Sequence, residues 1–168
     1  IGIVGFGRIG RETAKIALGI GMKVLAYDKF LKEASIILNF SHEKSVEFNI
    51  KISKFNYLLE NSDFISLHVP AQKEFIIDKK QFELMKDGVG IINAARGGVL
   101  NEVELISALD SGKVSFAGLD TFENEPKPEI KLLMHPNISL TPHIGAATNE
   151  AQDRIGKELA DQISNILN

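Results

Sequence analysis

The residue types best suited to proton transfer lie in the last third of the chain, at Glu125 and His143. His143 follows Pro142 and comes two residues before Gly145, whose small size lets another group approach the imidazole. A neutral imidazole can accept the proton of an alcohol, and a carboxylate on its other ring nitrogen favours this and fixes the tautomer. We therefore pair Glu125, which Pro126 holds in place, with His143 as an acid–base pair for hydride-transfer chemistry.

The same side chains have a competing use as metal ligands, with His68 as a further donor. No pair of them has the i, i+3 or i, i+4 spacing that brings two ligands together on a helix. We therefore expect no metal site. His135 precedes Pro136 in a predicted loop and is expected to be structural, and His42 is expected to be solvated in a polar turn.

Arg96 stands in the run NAARGG, residues 93–98, directly after a predicted buried strand. A guanidinium at that place can hold a substrate carboxylate or carbonyl through two hydrogen bonds. The alternative is an ordinary surface arginine in a turn, since position alone does not separate the two. Asp120 ends another predicted strand, so its carboxylate is expected at the same edge of a sheet.

A glycine-rich turn opens the chain, with Gly5, Gly7 and Gly10 in a G-x-G-x-x-G arrangement after a short apolar strand. Each glycine lacks a β-carbon where one would obstruct: in the turn, beside a pyrophosphate, and where the helix packs on the strand. The following helix offers free N–H groups to phosphates. The pattern predicts a dinucleotide site, with an ordinary strand-to-helix turn as the alternative.

Asp28 ends the next predicted strand, 18 residues after Gly10. A carboxylate at this place hydrogen-bonds the adenosine ribose hydroxyls and repels a 2′-phosphate, which favours NAD over NADP. Two alternatives stay open, because Asp28 can also cap a turn and the neighbouring Lys29 leaves room for NADP.

Short apolar strands and amphipathic helices alternate along the chain and position these residues. Parallel strands are predicted at 1–4, 23–27, 63–68, 89–93, 114–119 and 138–140, and helices at 9–17, 55–60, 79–86, 101–111, 129–134 and 149–167. This alternation predicts an α/β fold of the Rossmann type, a doubly wound parallel sheet in three layers. The polar strand ends are then expected to share one ligand-binding edge.

One segment departs from this alternation. Between about Ser35 and Ile50, two runs of period-2 hydrophobicity flank a polar turn. This pattern predicts a β-hairpin inserted between the second strand and the next helix.

The overall composition limits the partners. A chain of 168 residues with a formal net charge of −3 and scattered cations favours one globular domain and argues against nucleic acid or an anionic membrane. No apolar run is long enough to cross a bilayer, and no signal peptide is recognised. The absence of cysteine excludes disulfides and thiolate chemistry. A cytoplasmic protein that binds a small-molecule substrate is expected.

Several motifs share an order and spacing with one enzyme family. They are the glycine run 5–10, His68-Val69-Pro70, the run 93–98, Asp120 with Glu125-Pro126, and Thr141-Pro142-His143. Together they resemble the D-isomer-specific 2-hydroxyacid dehydrogenase family over nearly the whole chain. The resemblance implies hydride transfer between NAD and a 2-hydroxy acid. Catalysis would then use Arg96 to bind the substrate, His143 as the acid–base residue and Glu125 as its partner.

The resemblance also implies the cofactor contacts. Arg8 and Ile9 would touch the pyrophosphate, Asp28 the ribose, and Asp120 the nicotinamide carboxamide. The expected cofactor-binding residues are Gly5, Gly7, Arg8, Ile9, Gly10, Asp28, His68, Val69, Pro70, Ala94, Ala95, Arg96, Asp120, His143 and Gly145.

Within the family, segments 116–126 and 141–155 are most similar to members that oxidise 3-phospho-D-glycerate in serine biosynthesis. Another 2-hydroxy acid, such as glycerate or lactate, is an alternative, and so is an NAD(H)-sensing corepressor that keeps the same residues. In this family the nucleotide-binding domain is inserted into a substrate domain built from both chain ends. Residues 1–168 are therefore expected to be an excised NAD-binding domain, with the substrate domain absent and the full protein a homo-oligomer.

Overall fold

The computed structural model describes residues 1–40 and 44–167, so the predicted solvated turn with His42 lies outside the described residues. The strands are β1 (Gly2–Val4), β2 (Leu25–Tyr27), β3 (Glu33–Asn39), β4 (Ser45–Lys51), β5 (Phe64–Leu67), β6 (Val89–Asn93), β7 (Val114–Leu119) and β8 (Ile138–Leu140). The helices are α1 (Arg8–Gly19), α2 (Phe55–Asn61), α3 (Lys79–Leu84), α4 (Glu102–Asp110), α5 (Ile130–Leu133) and α6 (Asn149–Leu167). Across the described ranges, no helix combines the length and the apolar character needed to cross a membrane.

Six strands form one parallel sheet in the order β2-β1-β5-β6-β7-β8. The chain first moves outward from β1 to β2 and then returns to build on the other side of β1, which is the predicted doubly wound order. Ile52 extends the sheet by a parallel bridge to Ala26. The reversal between β1 and β5 creates a crevice at the carboxyl ends of these strands, which is where the glycine turn lies.

The sheet separates two hydrophobic cores. The larger core lies between the sheet and α2, α3 and α4, and it includes Val4 and Ile65 from the strands. The smaller core lies between the sheet, α1 and the hairpin, around Ile3, Ala26 and Ile36. Neighbouring residues of β1 therefore point into different cores, as expected of a strand buried on both faces.

Helices lie on both faces of the sheet, but the α1 face is covered over only part of its width. Phe64, Ile92 and Phe116, on β5, β6 and β7, keep 38%, 38% and 39% of their surface exposed on that face. The apolar stripe of α6 is also open to solvent, with Leu159 at 55% exposure. Two apolar surfaces of the described residues thus remain partly uncovered.

The predicted insertion is an antiparallel β-hairpin. β3 and β4 pair from Glu33 opposite Lys51 to Asn39 opposite Ser45. Ile36 is almost fully buried and packs in the smaller core with α1. The hairpin is therefore attached to the fold by one apolar face, as its period-2 pattern indicates.

Candidate active site

The glycine turn between β1 and α1 has the backbone shape that its three glycines indicate. Gly5 has a φ of 94°, and a β-carbon there would overlap the carbonyl of His68. A β-carbon at Gly10 would overlap the carbonyl of Gly5. At Gly7, no atom of the described residues other than Gly7 and its two chain neighbours lies within 4 Å of the β-carbon position, which leaves room for a ligand against the backbone. The turn and the first N–H groups of α1 therefore fit a pyrophosphate.

Asp28, at the end of β2, holds the glycine turn in place. Its Oδ2 accepts a hydrogen bond from the Phe6 N–H at 2.9 Å. Its Oδ1 accepts bonds from the N–H groups of Phe30 at 2.9 Å and Leu31 at 3.2 Å. Asp28 thus does cap a turn, which was the alternative left open by the sequence, and its Oδ2 keeps a second lone pair for a ribose hydroxyl.

His68 follows β5 and lies beside the glycine turn. Its backbone N–H donates to the Val4 carbonyl at 2.7 Å, and its Nε2 lies 2.9 Å from the Ser66 Oγ. Burial lowers the pKa of His68, so its imidazole is neutral at neutral pH. The loop 68–70 runs against the turn, because a β-carbon at Gly5 would meet both His68 and Val69.

The loop after β6 is shaped by the buried side chain of Asn93. Its Oδ1 accepts from the Ala95 N–H at 3.1 Å, and its Nδ2 donates to the Arg96 carbonyl at 3.0 Å. The Arg96 side chain is exposed, and its guanidinium donates to the Ala95 carbonyl at 2.6 Å. In the part of the chain that the structure describes, Arg96 forms no hydrogen bond or ion pair with Glu125 or His143.

Asp120, 7% exposed after the end of β7, anchors the loop that carries His143. Its Oδ1 accepts from the Thr141 Oγ1 at 2.6 Å and the Ile144 N–H at 2.9 Å, and its Oδ2 accepts from the Gly145 N–H at 2.9 Å. Burial disfavours the ionised form, but these hydrogen bonds outweigh it and lower the pKa of Asp120. The carboxylate therefore holds the Thr141 side chain before His143 and the backbone after it.

The structure brings Glu125 and His143 together. The Nδ1 of His143 lies 2.8 Å from the Oε2 of Glu125, and the Glu125 Oε1 accepts from the Phe122 N–H at 2.9 Å. The hydrogen bond with His143, followed by that from Phe122, lowers the pKa of Glu125. Glu125 is therefore a carboxylate at neutral pH, so Nδ1 carries the proton and Nε2 is the acceptor. His143 itself has a φ of 55°, in the left-handed region.

A cavity of about 400 Å³ borders this pair. Glu125, Thr141 and His143 line one part of it. Its other lining residues are apolar: Phe122, Pro126, Pro128, Leu133, Leu140 and Pro142. The pair thus adjoins a space of small-molecule size with mostly apolar walls.

Three contacts near this edge were not predicted from the sequence. Ser66 pairs with His68, Thr141 with Asp120, and the Arg8 guanidinium with the Glu158 carboxylate through two bonds of 2.9 Å. The first has a usable signal, because residues two apart on a strand share a face. The other two join positions 21 and 150 residues apart, for which the sequence has no local signal.

Residues 1–145 match the family model described as D-isomer specific 2-hydroxyacid dehydrogenase, NAD binding domain. The chain belongs to this family. It is 45% identical over 168 residues to the D-3-phosphoglycerate dehydrogenase of Archaeoglobus fulgidus, and 44% identical over 168 residues to the hydroxypyruvate reductase of Thermotoga maritima. The predicted Rossmann-type fold, the family resemblance and NAD as the cofactor of this domain are therefore confirmed.

Solved structures of the family show the same fold. The D-lactate dehydrogenase of Aquifex aeolicus, complexed with NAD and lactic acid, superposes with a TM-score of 0.76 at 34% identity, over 99% of this chain and 52% of that one. The alignments with the two curated relatives cover 98% and 97% of this chain, but only 30% and 51% of the relatives' own lengths. The chain thus spans about half or less of the dehydrogenases that it matches.

The sequence predicts no metal site among the histidines and acids near the carboxyl edge of the sheet. Among residues 1–40 and 44–167, no group of three or more histidine, aspartate and glutamate side chains is arranged to hold a metal ion.

Proposed function

We propose that the chain is the NAD-binding part of a dehydrogenase that interconverts a D-2-hydroxy acid and a 2-oxo acid. The observation that carries this proposal is the 2.8 Å contact between the His143 Nδ1 and the Glu125 Oε2. Bound NAD supplies the nicotinamide that accepts the hydride. The His143 Nε2 takes the hydroxyl proton as the substrate is oxidised and returns it in the reverse direction. Glu125 keeps Nδ1 protonated and stabilises the imidazolium that forms.

The cofactor contacts in this proposal follow the carboxyl edge of the sheet. Gly7 and the start of α1, with Arg8 and Ile9, would hold the phosphates of NAD. Asp28 receives a ribose hydroxyl on the free lone pair of its Oδ2, and its charge disfavours the 2′-phosphate of NADP. The residues assigned to line the crevice are His68, Val69, Pro70, Ala94 and Ala95.

The remaining two assignments concern the reacting end of the site. Asp120 is assigned to the nicotinamide carboxamide, and its Oδ2, which accepts one hydrogen bond, has a lone pair left for it. Arg96 is assigned to the substrate carboxylate and carbonyl, for which its planar guanidinium is suited. Its exposed position beyond β6 supports this role.

The first choice of substrate is 3-phospho-D-glycerate, oxidised to 3-phosphohydroxypyruvate. It is supported by the 45% identity to a D-3-phosphoglycerate dehydrogenase. The hydroxypyruvate reductase at 44% identity makes glycerate and hydroxypyruvate the second choice. Because these relatives are longer than this chain, we extend the proposal to a second domain that completes the substrate side, in an oligomeric cytoplasmic enzyme.

Turnover by the whole protein tests the proposal directly. NADH formation is followed with NAD and 3-phospho-D-glycerate, D-glycerate or D-lactate as substrate. His143→Ala should lower kcat by about 100- to 10,000-fold, the range for loss of a general acid–base residue. His135→Ala serves as the control and should keep the wild-type rate. The proposal is wrong if none of these acids is oxidised, or if His143→Ala stays within a few-fold of wild type.

A further inference from the structure

Two glutamates in the described residues hold each other's backbone across the fold. The Glu123 Oε1 accepts a hydrogen bond from the Glu102 N–H at 2.8 Å, and the Glu102 Oε1 accepts one from the Glu123 N–H at 2.7 Å. We call this reciprocal arrangement the Glu102–Glu123 clasp. It joins the first residue of α4 to the loop between β7 and α5.

The clasp places a buried carboxyl group, that of Glu102, next to the carboxyl group of Glu123. Glu102 is only 5% exposed, and burial raises its pKa, with the hydrogen bond from the Glu123 N–H acting in the opposite direction and the charge of Glu123 adding to the rise. Burying a carboxylate beside another carboxylate is unfavourable unless hydrogen bonds compensate it. The compensation here comes from two backbone N–H groups, so the side chains act as fixed acceptors for the backbone.

The loop held by the clasp carries Glu125. The Phe122 N–H, one residue before the clasped Glu123 N–H, donates to the Glu125 Oε1, and the Glu125 Oε2 contacts the His143 Nδ1. Three hydrogen bonds, linked through the backbone of residues 122 and 123 and the Glu125 carboxylate, therefore connect α4 to the imidazole. Each bond in it is between 2.7 and 2.9 Å long.

The clasp also brings two loops of the site together. The loop that contains Arg96 leads from β6 into α4, and its Gly97 lies so close to the Phe122 carbonyl that a β-carbon would overlap it. The helix that follows this loop begins at Glu102. The loop that carries Arg96 therefore contacts the loop that carries Glu125 at two places, at Gly97 and at the clasp.

We propose that Glu102 and Glu123 are positioning residues for the acid–base pair, an inference that rests on the proposed function. They touch neither the cofactor site nor the reacting atoms. They hold the 122–125 turn so that the Glu125 Oε2 stays within hydrogen-bond distance of the His143 Nδ1. Their loss therefore affects kcat, whereas the glycine turn that binds NAD is unchanged.

Three substitutions of Glu123, with one control at Glu104, distinguish the effect of side-chain length from the effect of charge. Glu123→Ala removes the acceptor, Glu123→Asp keeps the charge but is too short to reach the Glu102 N–H, and Glu123→Gln keeps the reach without the charge. We expect the Ala and Asp variants to lose kcat by about tenfold or more, as expected of a displaced catalytic group, with an unchanged Kd for NADH. Glu123→Gln should stay within a few-fold of wild type. Glu104→Ala, in the same first turn of α4, is the control for loss of a charge there.

A second measurement does not depend on turnover. The ¹⁵N chemical shifts of the His143 ring, assigned from their loss in His143→Asn, report whether Nδ1 carries the proton. Wild type and Glu123→Gln should show a protonated Nδ1, and Glu123→Asp should show a mixture of tautomers. If the wild-type protein oxidises no hydroxy acid, the proposed function fails, whereas the ring shifts still test the clasp.

The positioning role is overturned if Glu123→Asp keeps both the wild-type kcat and the wild-type ring shifts. It is equally overturned if Glu123→Gln, with an intact fold, loses as much as Glu123→Asp. If Glu123→Ala does not fold, the comparison of the Asp and Gln variants decides the question.

Discussion

Asp120 holds together the two segments on which the position of His143 depends. Its carboxylate accepts three hydrogen bonds, from Thr141, Ile144 and Gly145, while it is almost fully buried. An amide in its place would present an NH₂ group to one of these donors. That donor would then lie buried without an acceptor, which is the costly case for a hydrogen bond.

Asp120→Asn should therefore lower the free energy of unfolding by about 1–3 kcal/mol at neutral pH. Because the folded pKa of Asp120 is lowered, its ionised form stabilises the fold above the ordinary value of 3.8, and this contribution is lost as the pH falls through the folded value. Urea unfolding at a series of pH values should show the difference from wild type shrinking in acid. Asp153→Asn, on exposed α6, is the control, and a pH-independent difference would contradict the assignment.

The contact between Glu125 and His143 was predictable from the sequence, whereas the anchoring of His143 by Asp120 was not. Glu125 and His143 are recognisable because few side chain types transfer protons, and each has a proline beside it. The bonds to Asp120 span 21 to 25 residues, and no periodicity reports a contact of that kind. The left-handed backbone of His143 is equally invisible in the sequence, because glycine is the residue that usually indicates it.

Helix α6 meets α1 through the ion pair between Glu158 and Arg8. This pair holds the guanidinium that is assigned to the pyrophosphate, and it would place a carboxylate near the phosphates of bound NAD. Glu158→Gln should therefore strengthen NADH binding by up to about fivefold at low salt, with a smaller effect at high salt. Fluorescence titration with NADH measures this change. Glu150→Gln, in the first turn of α6, is the control, and weaker binding by Glu158→Gln would contradict the idea.

The buried carboxyl group of Glu102, at the start of α4, makes the stability of the fold depend on pH. The pKa of Glu102 is raised by burial, so the fold is most stable with this group protonated and loses stability as the pH rises through the folded value. Glu102→Gln keeps an acceptor and cannot ionise. Relative to wild type, it should gain stability between about pH 4 and neutral pH, as measured by urea unfolding. Glu104→Gln should show no such trend, and a parallel pH dependence of Glu102→Gln and wild type would refute the prediction.

Element types followed from the sequence better than element ends did. The hairpin was predictable because its two period-2 runs lie on either side of a polar turn. Helix α3, predicted over 79–86, ends at Leu84 because Met85 has extended backbone. Lys86 then pairs with Asp63 at 2.8 Å, a contact between elements that local helix propensity does not contain.

The doubly wound arrangement of the strands was predictable from the alternation of strands and helices. Which apolar surfaces of the sheet and of α6 are buried was not. Ile155, Leu159 and Ile163 repeat at helical spacing on α6, a pattern that ordinarily indicates a buried face, and yet each is about half exposed. Phe64 and Phe116 are apolar residues on strands of the sheet, and each is also more than one-third exposed. Periodicity indicates which side chains are apolar, and it does not indicate what lies against them.

The left-handed backbone of His143 sets the proposed acid–base role against thermal stability. A side chain with a β-carbon costs about 1 kcal/mol or more in this conformation, whereas glycine adopts it freely. His143→Gly and His143→Ala both lack the imidazole and differ only in that β-carbon. The glycine variant should therefore melt about 2–4 °C higher than the alanine variant in a thermal unfolding experiment. Equal melting temperatures would show that the backbone relaxes, whereas the expected difference means that evolution towards a more stable turn would lead away from the imidazole.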